Sequence, residues 1–173
     1  MLAGVELRGR FVTLRPAVPD DAPALAAILA EPEVAAWWGR WDLERVSSDL
    51  FGPDPEEEPF VIERDGAIVG YIQVYEEDEP DFRHAALDLF ITTHLQGRGF
   101  GPDAIATLAA HLIDDRGHHR LSIDPAAANE RAIAAYAKVG FRPVGVMRRY
   151  QRLADGTWVD ALLMDLLAEE LVR

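Results

Sequence analysis

Six residues, Gln96-Gly97-Arg98-Gly99-Phe100-Gly101, separate a β-rich run from an Ala- and Leu-rich run at helical spacing. A helix N-terminus presents unpaired N–H groups and partial positive charge. Glycine lets the backbone approach an anion without a Cβ clash. Together they predict a phosphate site, to which Arg98 adds charge. No Lys-Ser/Thr pair follows, so this is not a Walker loop, and Pro102 spoils the dinucleotide GxGxxG spacing. The plainer alternative is a glycine-rich turn that simply opens a helix.

The acidic residues carry the second chemistry. Asp88 stands mid-strand in "AALDLFIT", with Leu87, Leu89 and Ile91 on one face and Asp88, Phe90 and Thr92 on the other. A charge inside a strand is unfavourable unless solvated, paired or functional. Asp88 is therefore a candidate for proton transfer, directly or through water. A surface-facing Asp is the alternative. Asp124 precedes Pro125, a pairing common in turns. Glu76, Glu77, Asp78, Glu79 and Asp81 form an acidic run. Its field can draw in a polycation, or it is a solvated loop. Trp37 and Trp38 suit either an apolar wall or the core. The five histidines show no ligand spacing with carboxylates, and no metal is expected. Lys138, the only lysine, is expected at the surface.

The elements that must position these residues read clearly. "VELRGRFVTLRPAV" predicts a strand. "PDDAPALAAILAEPEVAAWW" predicts a helix divided at Pro32, with Asp20 and Asp21 capping its start. "WDLERVSSDLF" adds a short helix. "PFVIERDGAIVGYIQVYE" predicts a hairpin around Asp65-Gly66. "RHAALDLFITT" is the next strand, followed by a helix from about Gly101 to Asp115. "HRLSIDP" is a short strand, and "AANERAIAAYAKVG" a helix ending at Gly140. Two strands flank Asp155-Gly156. The expected fold is α/β (α+β), a mixed sheet of about seven strands with about four helices, in one domain over residues 1–173.

Composition sets the outer bounds. The chain has 173 residues, 49% of them hydrophobic, enough for a sizeable core. It has no cysteine, which excludes thiolate nucleophiles and cysteine metal sites. The net charge of −13 argues against nucleic acid and is compatible with a cationic partner. No stretch is long and apolar enough for a membrane span, and the N-terminus lacks a signal-type run. A soluble, cytoplasmic protein is expected.

The glycine segment resembles the acetyl-CoA pyrophosphate loop of the GNAT superfamily of N-acetyltransferases, Gln/Arg-x-x-Gly-x-Gly/Ala, with Gln96, Gly99 and Gly101 in place. "NERAIAAYAKVGF" resembles that superfamily's next helix through Asn129, Ala132, Tyr136, Gly140 and Phe141. Within the superfamily the chain is most similar to aminoglycoside 6'-N-acetyltransferases. The matching features are the tandem Trp of "EVAAWWG", the strand "GYIQVY", Asp88 eight residues before Gln96, and "IDPAAANERAIAAYAKVGF".

The resemblance implies a GNAT fold and acetyl-CoA as acyl donor. The phosphates would use the amides of Arg98, Gly99, Phe100 and Gly101, in a loop with Gln96 and Gly97. Asn129 would hold the cofactor arm, and main-chain groups around Phe90 and Ile91 would pair with pantetheine. Asp88 would be the proton acceptor. Tyr136 would lie near the sulfur and protonate the leaving thiolate, unless it is a core residue. Trp37, Trp38, Tyr75, Glu77, Asp88 and Asp124 would face the acceptor, a cationic amine. Without cysteine, transfer would be direct. Polyamines, protein N-termini and N-hydroxylysine are alternative acceptors, and a non-catalytic acyl-CoA or drug-binding module is the alternative to an enzyme. Neither nucleic acid nor membrane is an expected partner, and the chain is expected as a monomer or homodimer.

Overall fold

The computed structural model describes residues 5–52 and 57–173. Its eight strands are β1 (Leu7–Arg8), β2 (Thr13–Pro16), β3 (Glu58–Arg64), β4 (Ala67–Glu77), β5 (His84–Ile91), β6 (Arg120–Ile123), β7 (Arg142–Arg152) and β8 (Trp158–Leu167). They form one sheet in the order β1-β2-β3-β4-β5-β6-β8-β7. Every neighbouring pair is antiparallel except β5 with β6. Five α-helices accompany it among the described residues: α1 (Ala22–Leu29), α2 (Pro32–Trp38), α3 (Leu43–Leu50), α4 (Phe100–Asp114) and α5 (Glu130–Val139). Strands and helices each exceed the expected number by one.

The extra strand comes from the N-terminus, where one expected strand is two. The Asp103 carboxylate collects the amides of Arg10, Phe11 and Val12 at 3.0, 2.7 and 3.1 Å. That gathers Gly9 to Val12 into a turn. A second difference lies at α1. Asp21 does not cap it; its carboxylate takes both Nη atoms of Arg15 at 2.8 Å and the Val18 amide at 2.8 Å. The Arg15 bond outweighs burial and holds the Asp21 carboxyl below its usual range. The divided helix, the hairpin at Asp65-Gly66, and the α5 stop at Gly140 follow the sequence pattern.

The sheet separates two apolar clusters. Leu87, Leu89 and Ile91 of β5 pack with α4 and α5 through Ala104, Ile105, Leu108 and Val139. On the opposite face Phe90 joins Val61, Tyr71, Leu25, Val34 and Val46, under α1, α2 and α3. Each fully buried large aliphatic contributes about 1.5–3 kcal/mol, which fixes the register of β5. Asp88 shares the face of Phe90 by the two-residue strand period.

Candidate active site

The site begins where two parallel strands part. β5 and β6 pair only at Ala85↔Leu121 and Ala86↔Ser122. After Ile123 the chain leans onto β8: the Pro125 carbonyl accepts from Leu162 N–H at 2.8 Å, and Ala126 bridges Ala161. β5 continues to Ile91 with one edge uncovered. Thr92 N–H donates to Val69 in β4 at 2.9 Å, and the β4–β5 register is unbroken. By alternation Phe90 N–H also faces β4, while Leu89 and Ile91 face the gap. The free edge is thus carried by Leu89 and Ile91, and Phe90 contributes its ring. Among the described residues the Leu89 amide donates to the neighbouring Asp88 carboxylate, at 2.9 Å.

A cleft of about 430 Å³ runs through this gap. Asp88 reaches it from the α1–α3 face, and Tyr136 from the α5 face. The opening therefore connects the two sides of the sheet, and two molecules can meet within it.

One wall is the junction between β5 and α4. Gln96, Gly97, Gly101 and Pro102 line the cleft. Gly97 and Gly99 have φ of 74° and 89°, a conformation that favours glycine. The first α4 bond runs from Asp103 N–H to the Gly99 carbonyl at 3.0 Å. The amides of Gly99, Phe100 and Gly101 make no backbone bond among the described residues. Asp103, which would bring negative charge to this turn, is engaged by the β1–β2 turn. Gln96 Nε2 donates to the Ile91 carbonyl at 2.8 Å, and its Oε1 is buried without a partner among the described residues. The Phe100 ring is in the core against Phe11, and Arg98 is exposed outside the cleft lining.

The α5 wall presents Asn129, Arg131, Ala132, Ala135 and Tyr136. Asn129 caps α5, its Oδ1 accepting the Ala132 amide at 3.2 Å. Tyr136 is buried and packs against Phe141. Burial and the charges of Asp88 and Asp124 push its hydroxyl pKa well up, so it stays protonated.

The acidic wall pairs Asp88 with half-buried Asp124. Solvent reaches Asp88 within the cleft, yet surrounding protein and then the Asp124 charge push its pKa up to about 7. Burial also raises Asp124, opposed by the Tyr150 hydroxyl. Trp37 and Trp38 line the cleft, and Trp38 also sets its edge on Phe90 at 5.0 Å. Tyr75 lies in a smaller hollow of about 140 Å³ that shares Asp88 and Asp124. Glu77 lines neither hollow; its Oε1 accepts the Glu79 amide at 2.9 Å and shapes the acidic turn.

Sequence reasoning missed Tyr150 and Gln151. Four steps of β7, Met147 to Gln151, oppose two of β8, Ala161 to Val159. Arg149 takes φ 48°, held by its N–H to Asp160 Oδ1 at 2.7 Å. This bulge turns Tyr150 to the cleft. Gln151 Nε2 donates to the Trp37 carbonyl at 2.7 Å and ties β7 to α2. No residue type in "MRRYQ" announces such a bulge. Glu33 also lines the cleft.

Known proteins share this fold. The chain is 26% identical over 155 residues, 79% of its length and 76% of the relative's, to the aminoglycoside N(6')-acetyltransferase type 1 of Klebsiella pneumoniae. It is 28% identical over 163 residues, 88% of its length and 84% of the relative's, to the spermidine N(1)-acetyltransferase of Escherichia coli. Mycobacterium smegmatis RimJ in complex with CoA-disulfide superimposes with a TM-score of 0.82 at 28% identity, covering 98% of this chain and 89% of that one. AAC(6')-Ib in complex with paromomycin and acetyl-CoA does so with a TM-score of 0.77 at 25% identity, covering 94% and 98%. The acetyltransferase (GNAT) domain model matches residues 12–142, and the chain belongs to the GNAT acetyltransferase family.

Proposed function

We propose that this protein is an acetyl-CoA-dependent N-acetyltransferase of the 6'-amine of aminoglycosides. The observation that carries the reading is the acidic pair Asp88 and Asp124 in a cleft walled by Trp37, Trp38 and Tyr150. Carboxylates beside aromatic faces suit a polycationic sugar. Acetylation removes a positive charge that such a drug uses against RNA phosphates.

The residues fit acetyl-CoA. The orphaned Gln96 Oε1, the uncovered edge of β5 and the unengaged amides at the start of α4 are what an amide-bearing arm and a pyrophosphate need. Gln96, Gly97, Gly99, Gly101 and the amides of Arg98 and Phe100 would hold the phosphates, and Leu89, Ile91 and Asn129 the arm. When bound, the group supplies an acetyl thioester.

Asp88 takes the proton from the acceptor's ammonium, converting it to the nucleophilic amine. A pKa of about 7 suits this, because the carboxylate is both present and basic near neutrality. Asp124 remains the anion that holds the acceptor. The Leu89 and Ile91 amides offer donors for negative charge developing on the carbonyl oxygen. The Tyr136 hydroxyl gives its proton to the departing sulfur and takes back the second proton, which the nitrogen sheds as the adduct collapses to the amide. The wall of α2 and β7 limits water.

Thiol release from acetyl-CoA against kanamycin, tobramycin, spermidine and an N-terminal peptide tests the reading. Turnover with the aminoglycosides supports it. Turnover confined to spermidine or peptide moves the chain to another acceptor within its family.

A further inference from the structure

Helix α2 lies over the cleft and buries only one of its residues, Val34. Side-chain bonds hold it at both ends: Trp41 Nε1 donates to the Trp38 carbonyl at 2.8 Å within the same segment, and the remaining bonds reach other elements. At its end the Trp37 carbonyl takes Gln151 Nε2. At its start the ties converge on Glu31. The backbone of Glu31 opens the helix, its carbonyl accepting from Val34 and Ala35 at 3.0 and 2.8 Å. Its carboxylate does not cap the helix. It crosses to the end of β5, where Oε1 accepts the buried Thr92 hydroxyl at 2.6 Å and Oε2 the Thr93 amide at 2.6 Å. His94 Nδ1 lies 3.1 Å from the same Thr92 oxygen. Burial pushes the Glu31 carboxyl up, but the bonds from Thr92 and Thr93 and the His94 side chain more than offset it, so it stays ionised.

The recipients are not neutral ground. Thr93–Leu95 is the 3-10 turn that delivers the chain into Gln96 and the glycines. α2 carries Glu33, Val34, Trp37 and Trp38 into the cleft. The Glu31 carboxylate, through two bonds of 2.6 Å, is therefore the main link between the wall facing the acceptor and the loop facing the acyl donor; Glu33 Oε2 adds only a long, exposed bond from the Thr93 hydroxyl at 3.4 Å. Resting on the two-substrate reading of the cleft, we infer that Glu31 is a positioning residue that couples its halves: when CoA orders the loop at residues 92–101, Glu31 transmits that order to α2.

Hydrogen exchange on the full chain, with and without saturating CoA, tests this without any acceptor. In wild type, CoA should slow exchange in the loop and also slow the α2 amides at residues 34–38 by about 5-fold or more, the lower range of site-to-site coupling. In Glu31→Ala and in Thr92→Val the loop should still respond, while the α2 response falls below about 2-fold. Glu31→Gln, which keeps an oxygen for Thr93 N–H, should recover part of it. The loop response reports that each variant is folded and binds CoA. Equal protection of α2 in wild type and Glu31→Ala overturns the coupling, as does no protection of α2 in wild type. Failure of the functional reading shows separately, as absence of turnover with every amine.

Discussion

Asp88 on β5 and Asp124 just past the end of β6 occupy equivalent positions, each two residues beyond the last paired residues of the two parallel strands, Ala86 and Ser122. Had the strands stayed together, the two carboxylates would be adjacent on one face. Because they part, the pair instead flanks an opening in the sheet. Like charges in a partly dehydrated gap cannot ionise with equal ease. Asp88 is the one whose pKa rises to about 7.

Replacing Asp88 with Asn should lower kcat by about 10²-fold or more, the usual worth of a positioned general base. CoA affinity, measured by calorimetry, should stay within about 2-fold, since the donor loop is untouched. A protein that only binds acyl-CoA would show no loss of function.

The pH dependence follows from the same residue. Rate with wild type should rise as pH increases through about 7, where Asp88 loses its proton. Asp124→Asn removes the second cause of that raised pKa, so the acidic limb should move to lower pH while the acceptor KM rises about 10-fold. An unmoved limb would show that the two carboxylates do not interact.

Stability should move opposite to activity. A carboxyl with a raised folded pKa keeps its proton in the folded state after the unfolded chain has shed it. Its contribution is thus favourable below the unfolded value of 3.8 and is lost as pH climbs towards 7. Thermal melts at pH 8 should find Asp88→Asn more stable than wild type, and the difference should shrink at pH 4.

Tyr136→Phe keeps the buried ring against Phe141 and removes only the hydroxyl. The melting temperature should change little and kcat should fall about 10²-fold. Full activity would return Tyr136 to a packing role.

Gly140 ends α5 at φ +116°, and a Cβ there would lie 2.3 Å from the Glu170 carbonyl oxygen and 2.9 Å from Leu166. Backbone cannot yield as a side-chain end can. Gly140→Ala should cost about 2 kcal/mol or more, read by chemical denaturation.

Much of this architecture is legible in the residues, because the hydrophobic period of β5, the caps of α5 and the Asp65-Gly66 turn are local. The glycine junction was legible for the same reason, since a positive φ selects glycine at Gly97 and Gly99. What stayed hidden is long-range. The turn at Gly9 depends on Asp103, more than ninety residues away in sequence. Tyr150 reaches the cleft only because of a bulge whose strained residue, Arg149, is held by Asp160. Phe90 and Leu89 exchange roles because the choice of free edge depends on which neighbour each amide faces, and alternation of side chains does not reveal it. Glu31 carries no local signal, because its partners Thr92 and Thr93 lie 61 and 62 residues away in sequence.

The most direct test of the central claim compares kanamycin with its analogue bearing a hydroxyl at the 6' position, as initial rates of thiol release at matched concentrations. Rapid turnover of the 6'-amine with none of the 6'-hydroxyl compound is the predicted result. Equal rates on both would place the acetyl group elsewhere, and no turnover on either would contradict the aminoglycoside reading.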